Sequence, residues 1–226
     1  MKVTLISHST PVEDIHDKNL HNIQDLVAFC ARVSNPSNQF NTQTAEKLIR
    51  YLVDNRHWSP LEMVNVCLEI ETTRDIARQI LRHRSFTFQE FSQRYADPTK
   101  DLEFVCREAR LQDTKNRQNS IELDMSNDEQ RIIATGWENI QKDLILKSKQ
   151  AYEWAIDKGI AKEQARAVLP EGLTLSRLYV NGSLRSWVHY IQLRSGNGTQ
   201  KEHIEIAKHC AGVISKVFPM IDELIQ

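Results

Sequence analysis

The chain has 226 residues, 40% apolar and 26% charged, the proportions of an ordinary soluble globular protein long enough to bury a substantial core. Lys and Arg (29) nearly cancel Asp and Glu (30), so net charge suggests neither a nucleic-acid nor a membrane partner. Glycine is scarce, seven residues or about 3% against ~7% on average, and none sits in a G-x-G-x-x-G or Walker A loop, which excludes nucleotide enzymes of the Rossmann or P-loop type.

Residues 2–7 read as a strand. A helix is expected over 22–33, with Ile23, Leu26, Val27 and Ala31 at helical spacing, stopped by Asn35-Pro36-Ser37-Asn38. A second helix carries Ala45, Leu48, Ile49, Leu52 and Val53 on one face and ends before His57-Trp58-Ser59-Pro60. Strict alternation follows: Val64, Val66, Leu68 and Ile70 face one way and Asn65, Cys67, Glu69 and Glu71 the other, the pattern of a half-buried strand. Thr72 or Thr73 can cap a helix over 74–84. Residues 96–125 are polar and expected to be partly irregular. Residues 128–158 predict one long amphipathic helix, with Gly136 a point of interruption, and 162–168 a short helix stopped by Pro170. Residues 173–180 are strand-like, and Asn181-Gly182 is expected to turn the chain into a helix with Leu184, Trp187, Val188 and Ile191 on one side. After Ser195-Gly196-Asn197-Gly198, a last helix points Ile204, Ala207, Ala211, Ile214 and Phe218 inward. Two or three separated strands among these helices predict a single α+β domain over 1–226, helix-dominated around a small, mostly antiparallel sheet.

Cys30, Cys67, Cys106 and Cys210 form no C-x-x-C pair, and the opening MKVTLIS lacks the apolar stretch of a signal peptide, so reduced thiols in a cytoplasmic protein are expected. No apolar run approaches the ~18 residues of a membrane span. His189, His203 and His209 are not at metal-ligand spacing, and no metal is expected.

Residues 74–94 hold five arginines (74, 78, 82, 84 and 94) and His83 against only Asp75 and Glu90. On a helix, Arg74, Arg78 and Arg82 form a like-charge stripe that costs a few tenths of a kcal/mol per pair. Anion binding would explain tolerating it, because guanidinium forks match phosphate oxygens bidentately. Gln79 and Arg82 share a face, so an amide can read a base edge while the arginine holds a phosphate. The plainer alternative is a solvated helix face with surface ion pairs. Phe86, Phe88 and Phe91 are candidates for ring stacking, although core packing is the commoner fate of such side chains. Ser92 as a hydrolase nucleophile lacks both G-x-S-x-G and a third partner. His83 lies between two arginines, which disfavours its imidazolium form.

The run Arg82-His83-Arg84-Ser85-Phe86-Thr87-Phe88-Gln89-Glu90-Phe91-Ser92-Gln93-Arg94-Tyr95 fits R-H-R-x7-S and closely resembles the flavin-dependent thymidylate synthase family. His57-Trp58-Ser59-Pro60-Leu61-Glu62 resembles the family's H-x-S-P-x-E, and Ala165-Arg166-Ala167-Val168-Leu169-Pro170 its A-R-x-x-L-P. Residues 184–194 resemble L-R-S-W-x-H-F-I-x-L-R, and Gln200 and Glu202 its Q-x-E. The chain departs from the pattern at Met63, at Ser195-Gly196-Asn197-Gly198 and at Thr199-Gln200-Lys201-Glu202-His203.

The resemblance implies a homotetrameric enzyme, its active sites at subunit interfaces, that makes dTMP from dUMP, with 5,10-methylenetetrahydrofolate as carbon donor, FAD as hydride carrier and NADPH as reductant. By the same resemblance, Gln79, Arg82, Glu90, Phe91, Ser92, Gln93, Arg94, Arg166 and Arg194 contact dUMP, with Ser92 and Arg94 on its phosphate. Arg194 is the expected catalytic residue, stabilising negative charge on the pyrimidine. Ser59, Arg82, His83, Arg84, Glu90, Ser183, Arg185 and His189 are expected to line FAD. Helical spacing independently puts Arg185 and His189 on one face. Two other readings stay open: a nucleic-acid-binding module built on 74–94, and a flavin- or nucleotide-binding homologue without turnover.

Overall fold

A computed structural model of the chain describes residues 1–13 and 20–225. The alternating segment forms the centre of a four-stranded sheet of β1 (Lys2–His8), β2 (Asn65–Thr73), β3 (Thr87–Glu90) and β6 (Leu175–Ser183), in the order β1-β2-β6-β3. Every pairing in it is antiparallel. Val66, Leu68 and Ile70 are fully buried on one face of β2, as their period of two requires. A separate hairpin joins β4 (Arg110–Gln112) and β5 (Ser120–Glu122).

Helices α1 (Ile23–Ala31) and α2 (Ala45–Asp54) lie between β1 and β2, each near its expected position. The Asn22 side chain caps α1 by accepting from the Asp25 amide at 2.9 Å. Helix α3 (Arg74–Ile80) follows β2 directly, and a short α4 (Pro98–Asp101) precedes the hairpin. Next comes α5 (Asp128–Asp157), 30 unbroken residues whose Asn127 cap accepts from the amides of Glu129 and Gln130. The helix runs straight through Gly136, a tolerated cost of ~1 kcal/mol. Helix α6 (Lys162–Ala165) and a 3-10 turn (Arg166–Val168) lead to β6. Helices α7 (Leu184–Ser195), α8 (Lys201–Ile214) and α9 (Ile221–Leu224) close the fold. The apolar side of α7 is fully buried through Leu184, Trp187, Val188 and Ile191, and the Trp187 indole donates to the Val66 carbonyl at 3.0 Å. No described helix is long and apolar enough to cross a membrane.

Four expectations change. The sheet has four strands rather than two or three, because the arginine-rich segment itself contributes β3 on the edge of β6. Helix α3 ends at Ile80 instead of 84, and the chain then turns through Arg82-His83-Arg84-Ser85, with the Phe86 amide bonded to the His83 carbonyl. Phe218, read as part of the last helix, is buried beyond its end. Asn181 and Gly182 are not a turn; they continue β6 opposite Cys67 and Val66. Gly182 is there because the Cδ1–Cε1 edge of Phe86 closes on it: a Cβ at that position would fall 2.3 Å from Phe86 Cδ1.

Candidate active site

Three groups of side chains gather around α3, the turn after it and α7. The first surrounds Glu90 at the end of β3. Arg74 is buried and lies 3.6 Å from the Glu90 carboxylate, while Arg78 approaches the same carboxylate at 3.9 Å and Glu171 at 3.6 Å. The Ser176 hydroxyl donates to Glu90 at 2.8 Å. The like-charge stripe is therefore neutralised by two glutamates, one from β3 and one from the loop before β6. It is not a solvated cationic face, and Arg82 is off the helix altogether. Next to it, the Ser92 hydroxyl accepts from the Arg94 amide at 3.3 Å, and Arg94 pairs with Glu163 at 3.1 Å. Gln93 is buried with its Nε2 unpartnered, an orphaned donor of the kind that a bound ligand satisfies. Phe91 is half-buried and fixed through its amide to the Arg177 carbonyl.

The second group sits at the start of α7. The Ser183 hydroxyl caps the helix, accepting from the Ser186 amide, and donates to Glu62 Oε2 at 2.6 Å. Arg185 donates to Glu62 Oε1 at 2.7 Å. A cation in the first turn opposes the helix dipole, and the Glu62 carboxylate offsets it. The Ser183 hydroxyl and the Arg185 guanidinium hold the Glu62 carboxyl below its ordinary value, against the push of burial. His189, one turn on from Arg185, packs edge-on against Trp58 with ring centroids 4.5 Å apart. Burial and the neighbouring Arg185 lower its pKa. Ser59 opens the adjacent 3-10 turn (Ser59–Glu62) and is exposed.

The third group is at the other end of α7. Arg194 donates through Nε to His83 Nε2 at 2.9 Å, leaving both terminal nitrogens of the guanidinium without a protein partner among the described residues. Burial first, then Arg194 and Arg82, pull His83 down to about 4. The ring is thus neutral at pH 7, as its flanking arginines suggested, and with Nε2 accepting, its proton lies on Nδ1. Gln79 and Gln200 bond to each other at 3.0 Å, and Gln79 also contacts His203 at 3.2 Å.

The Arg82-His83-Arg84-Ser85 turn runs alongside α7 and connects the last two groups. His83 meets Arg194 near the C-terminal end, and the Ser85 carbonyl accepts from Ser186 near the N-terminal end. Arg185 and Arg194 are about 13 Å apart along the helix axis. No carboxylate lies within ion-pair distance of Arg82, Arg84, Arg166 or Arg194 among the described residues. These four guanidinium groups carry no counter-charge, and Arg82 and Arg84 share one turn; such groups are suited to bind anions. Without a glycine-rich loop, such side chains are the donors left to hold phosphates.

The sequence profile of the family described as "Thymidylate synthase complementing protein" matches residues 17–220. The chain is 47% identical over 226 residues to a flavin-dependent thymidylate synthase of Synechocystis sp., covering 100% of both proteins.

The chain belongs to the flavin-dependent thymidylate synthase family.

A second relative, named a probable flavin-dependent thymidylate synthase, from Paramecium bursaria Chlorella virus 1, is 44% identical over 226 residues, 100% of this chain and 99% of that one. The fold matches the crystal structure of a UMP/dUMP methylase, PolB from Streptomyces cacaoi bound with 5-Br dUMP, with a TM-score of 0.77 at 24% identity, over 99% of this chain and 93% of that one. Residues 57–62, 82–95 and 184–194, three of the motif segments of the flavin-dependent thymidylate synthases, meet around the turn and α7 despite their separation in sequence. Two residues of the region were not singled out from sequence. Glu62 stood inside the quoted H-x-S-P-x-E segment and is the hub joining Ser183 to Arg185. Glu171, the partner of Arg78, had no local signal, because only the fold brings it to α3.

Proposed function

We propose that this chain catalyses the reductive methylation of dUMP to dTMP, as one catalytic domain acting in the cytoplasm, with 5,10-methylenetetrahydrofolate as carbon donor, FAD as cofactor and NADPH as reductant. Bound flavin supplies the hydride that completes the methyl group. The observation that carries the reading is Arg194, held by neutral His83 with its two terminal nitrogens uncommitted, in a chain whose full length matches enzymes of this name. The PolB structure holds 5-Br dUMP, the nucleotide class that this reading requires.

Arg194 is the catalytic residue of this reading. Its guanidinium does not titrate near neutral pH, so it can stabilise negative charge on the pyrimidine without giving up a proton. His83 acts on it by accepting from Nε, which turns the two terminal nitrogens towards the substrate. The dUMP phosphate is held by Ser92 and Arg94, with the orphaned Gln93 Nε2 a further donor, while Gln79, Arg82, Glu90, Phe91 and Arg166 complete the nucleotide contacts. Arg94 must loosen from Glu163 to reach the phosphate, and both side chains are exposed enough to do so. Ser59, Arg82, His83, Arg84, Glu90, Ser183, Arg185 and His189 line FAD. The donors fit that group: Arg82 and Arg84 carry no ion pair, and Arg185, bonded to Glu62 through Nη1, keeps its other nitrogens for an anion. With Nε2 engaged by Arg194, His83 presents Nδ1–H to the flavin. Glu90 enters both sites already held by Arg74, Arg78 and Ser176.

Assembly as a homotetramer is part of the same proposal. Ile133, Trp137, Ile140 and Leu144 form an exposed apolar stripe along α5, at spacing that a packed helix would bury. A contiguous face of this kind calls for a protein partner. The reading is tested by the colour of the purified protein: flavin absorbance bleached by NADPH supports it. A protein that carries no flavin and takes none up when FAD is added refutes it.

A further inference from the structure

The most unusual polar feature near the site is a buried chain of side-chain hydrogen bonds. Tyr190 is 2% exposed and His203 0%. The Tyr190 hydroxyl lies 3.1 Å from His203 Nε2, His203 Nδ1 lies 3.2 Å from Gln79 Oε1, and Gln79 Nε2 donates to Gln200 Oε1 at 3.0 Å.

This chain has a direction, and Tyr190 sets it. The phenol is enclosed by Phe86, Trp187 and His83, and His203 is its sole hydrogen-bond partner among the described residues. A buried hydroxyl hydrogen with no acceptor costs ~1–3 kcal/mol, so it is directed at His203 Nε2. Burial, with Arg194 and His83 nearby, pulls His203 down to about 3, so the ring is neutral. Its single proton is then on Nδ1 and points at Gln79 Oε1. The Gln79 carbonyl is thereby occupied, and its NH2 group has one hydrogen on Gln200 and the other without a partner among the described residues.

We infer that Tyr190 and His203 are positioning residues that lock the Gln79 amide as a hydrogen-bond donor towards the pyrimidine edge, so that the site selects a ring carbonyl over a ring amino group. Uracil offers a carbonyl oxygen at position 4, where cytosine offers an amino group that cannot accept. His203 stands in the segment where the sequence departs from the family pattern, so the device is read from this chain's own side chains. The inference rests on the nucleotide contact proposed for Gln79.

The test uses the full-length protein and Tyr190→Phe, which removes one oxygen and keeps the ring packing. In ligand-free wild-type protein, 15N NMR is expected to show His203 protonated on Nδ1 alone, and in Tyr190→Phe a mixture of both tautomers. Calorimetric titration with dUMP and with dCMP is expected to show the wild-type preference for dUMP, reduced about tenfold in Tyr190→Phe, the effect of one freed hydrogen bond. A wild-type His203 protonated on Nε2 overturns the positioning role, and an unchanged dUMP preference in the variant overturns the selectivity. A wild-type protein that binds neither nucleotide refutes the proposed function and the selectivity built on it. The tautomer, measured without ligand, still decides the positioning role.

Discussion

Gly182 is where a single methyl group tests the packing beneath the site. An alanine Cβ there would lie 2.3 Å from Phe86 Cδ1 and 2.5 Å from Cε1, more than 1 Å inside ordinary carbon contact. Phe86 cannot swing away: its ring centroid is 4.6 Å from that of Trp187, 5.8 Å from Tyr190 and 6.2 Å from Phe88. Relief must come from shifting the backbone of the turn that carries Arg82, His83 and Arg84. Overpacking of this kind costs ~1–3 kcal/mol, and alanine returns ~0.4–1 kcal/mol by stiffening the unfolded chain. The net cost of ~1–2 kcal/mol lowers Tm by roughly 2–8 °C in a chain of this size. The assay is thermal melting of Gly182→Ala beside Gly172→Ala, where a Cβ meets nothing within 4 Å and Tm is expected to hold. The flavin content of the Gly182 variant should fall as the turn shifts. Wild-type melting and full flavin content in Gly182→Ala would show that Phe86 does not need the space left at Gly182.

Arg194→Ala should abolish turnover while FAD is retained, read as flavin absorbance alongside activity; an active variant rejects the role given to Arg194. Arg94→Ala should raise the KM for dUMP ~10- to 150-fold, the ~1.5–3 kcal/mol of a lost charge-assisted bond, and unchanged saturation removes Arg94 from the phosphate site. Stability should fall with pH below 6.5. His83 and His203 stay neutral in the folded protein, down to about 4 and about 3, while in the unfolded chain each takes up a proton near 6.5. Between those values the unfolded state binds more protons, so the histidine contribution is complete above pH 6.5 and is lost as pH drops, by up to ~1.4 kcal/mol per pH unit for each ring. Denaturant melts at pH 7, 6 and 5 measure it; a slope unchanged by His203→Gln contradicts the assignment.

The local physics of Val64, Val66, Leu68 and Ile70 and of Leu184, Trp187, Val188 and Ile191 was legible because burial on one side imposes its period on the sequence. What escaped detection was set by distant partners. Strand β3 has four residues in a segment dominated by charge, and it is a strand only because β6 offers it an edge. Gly182 resembles a turn residue until Phe86, nearly a hundred positions earlier, is seen lying against it. The Arg74 and Arg78 stripe looked like a local cost because Glu171 is remote in sequence. Helix α5 was expected from its amphipathic pattern, yet part of its apolar face points outward, because periodicity alone does not say whether a face packs against the core. Family membership was legible through motif spacing, and the chemistry of neutral His83 through its flanking arginines. The polarity of Tyr190, His203 and Gln79 was not, because a polar pair inside an apolar helix face carries no periodic signal.

Reductive methylation of dUMP is the activity assigned to this site. Release of tritium from [5-3H]dUMP by the purified protein measures it most directly. Release is expected to require both methylenetetrahydrofolate and NADPH and to be lost in Arg194→Ala. A flavin-loaded protein that binds dUMP and releases no tritium under those conditions would contradict it.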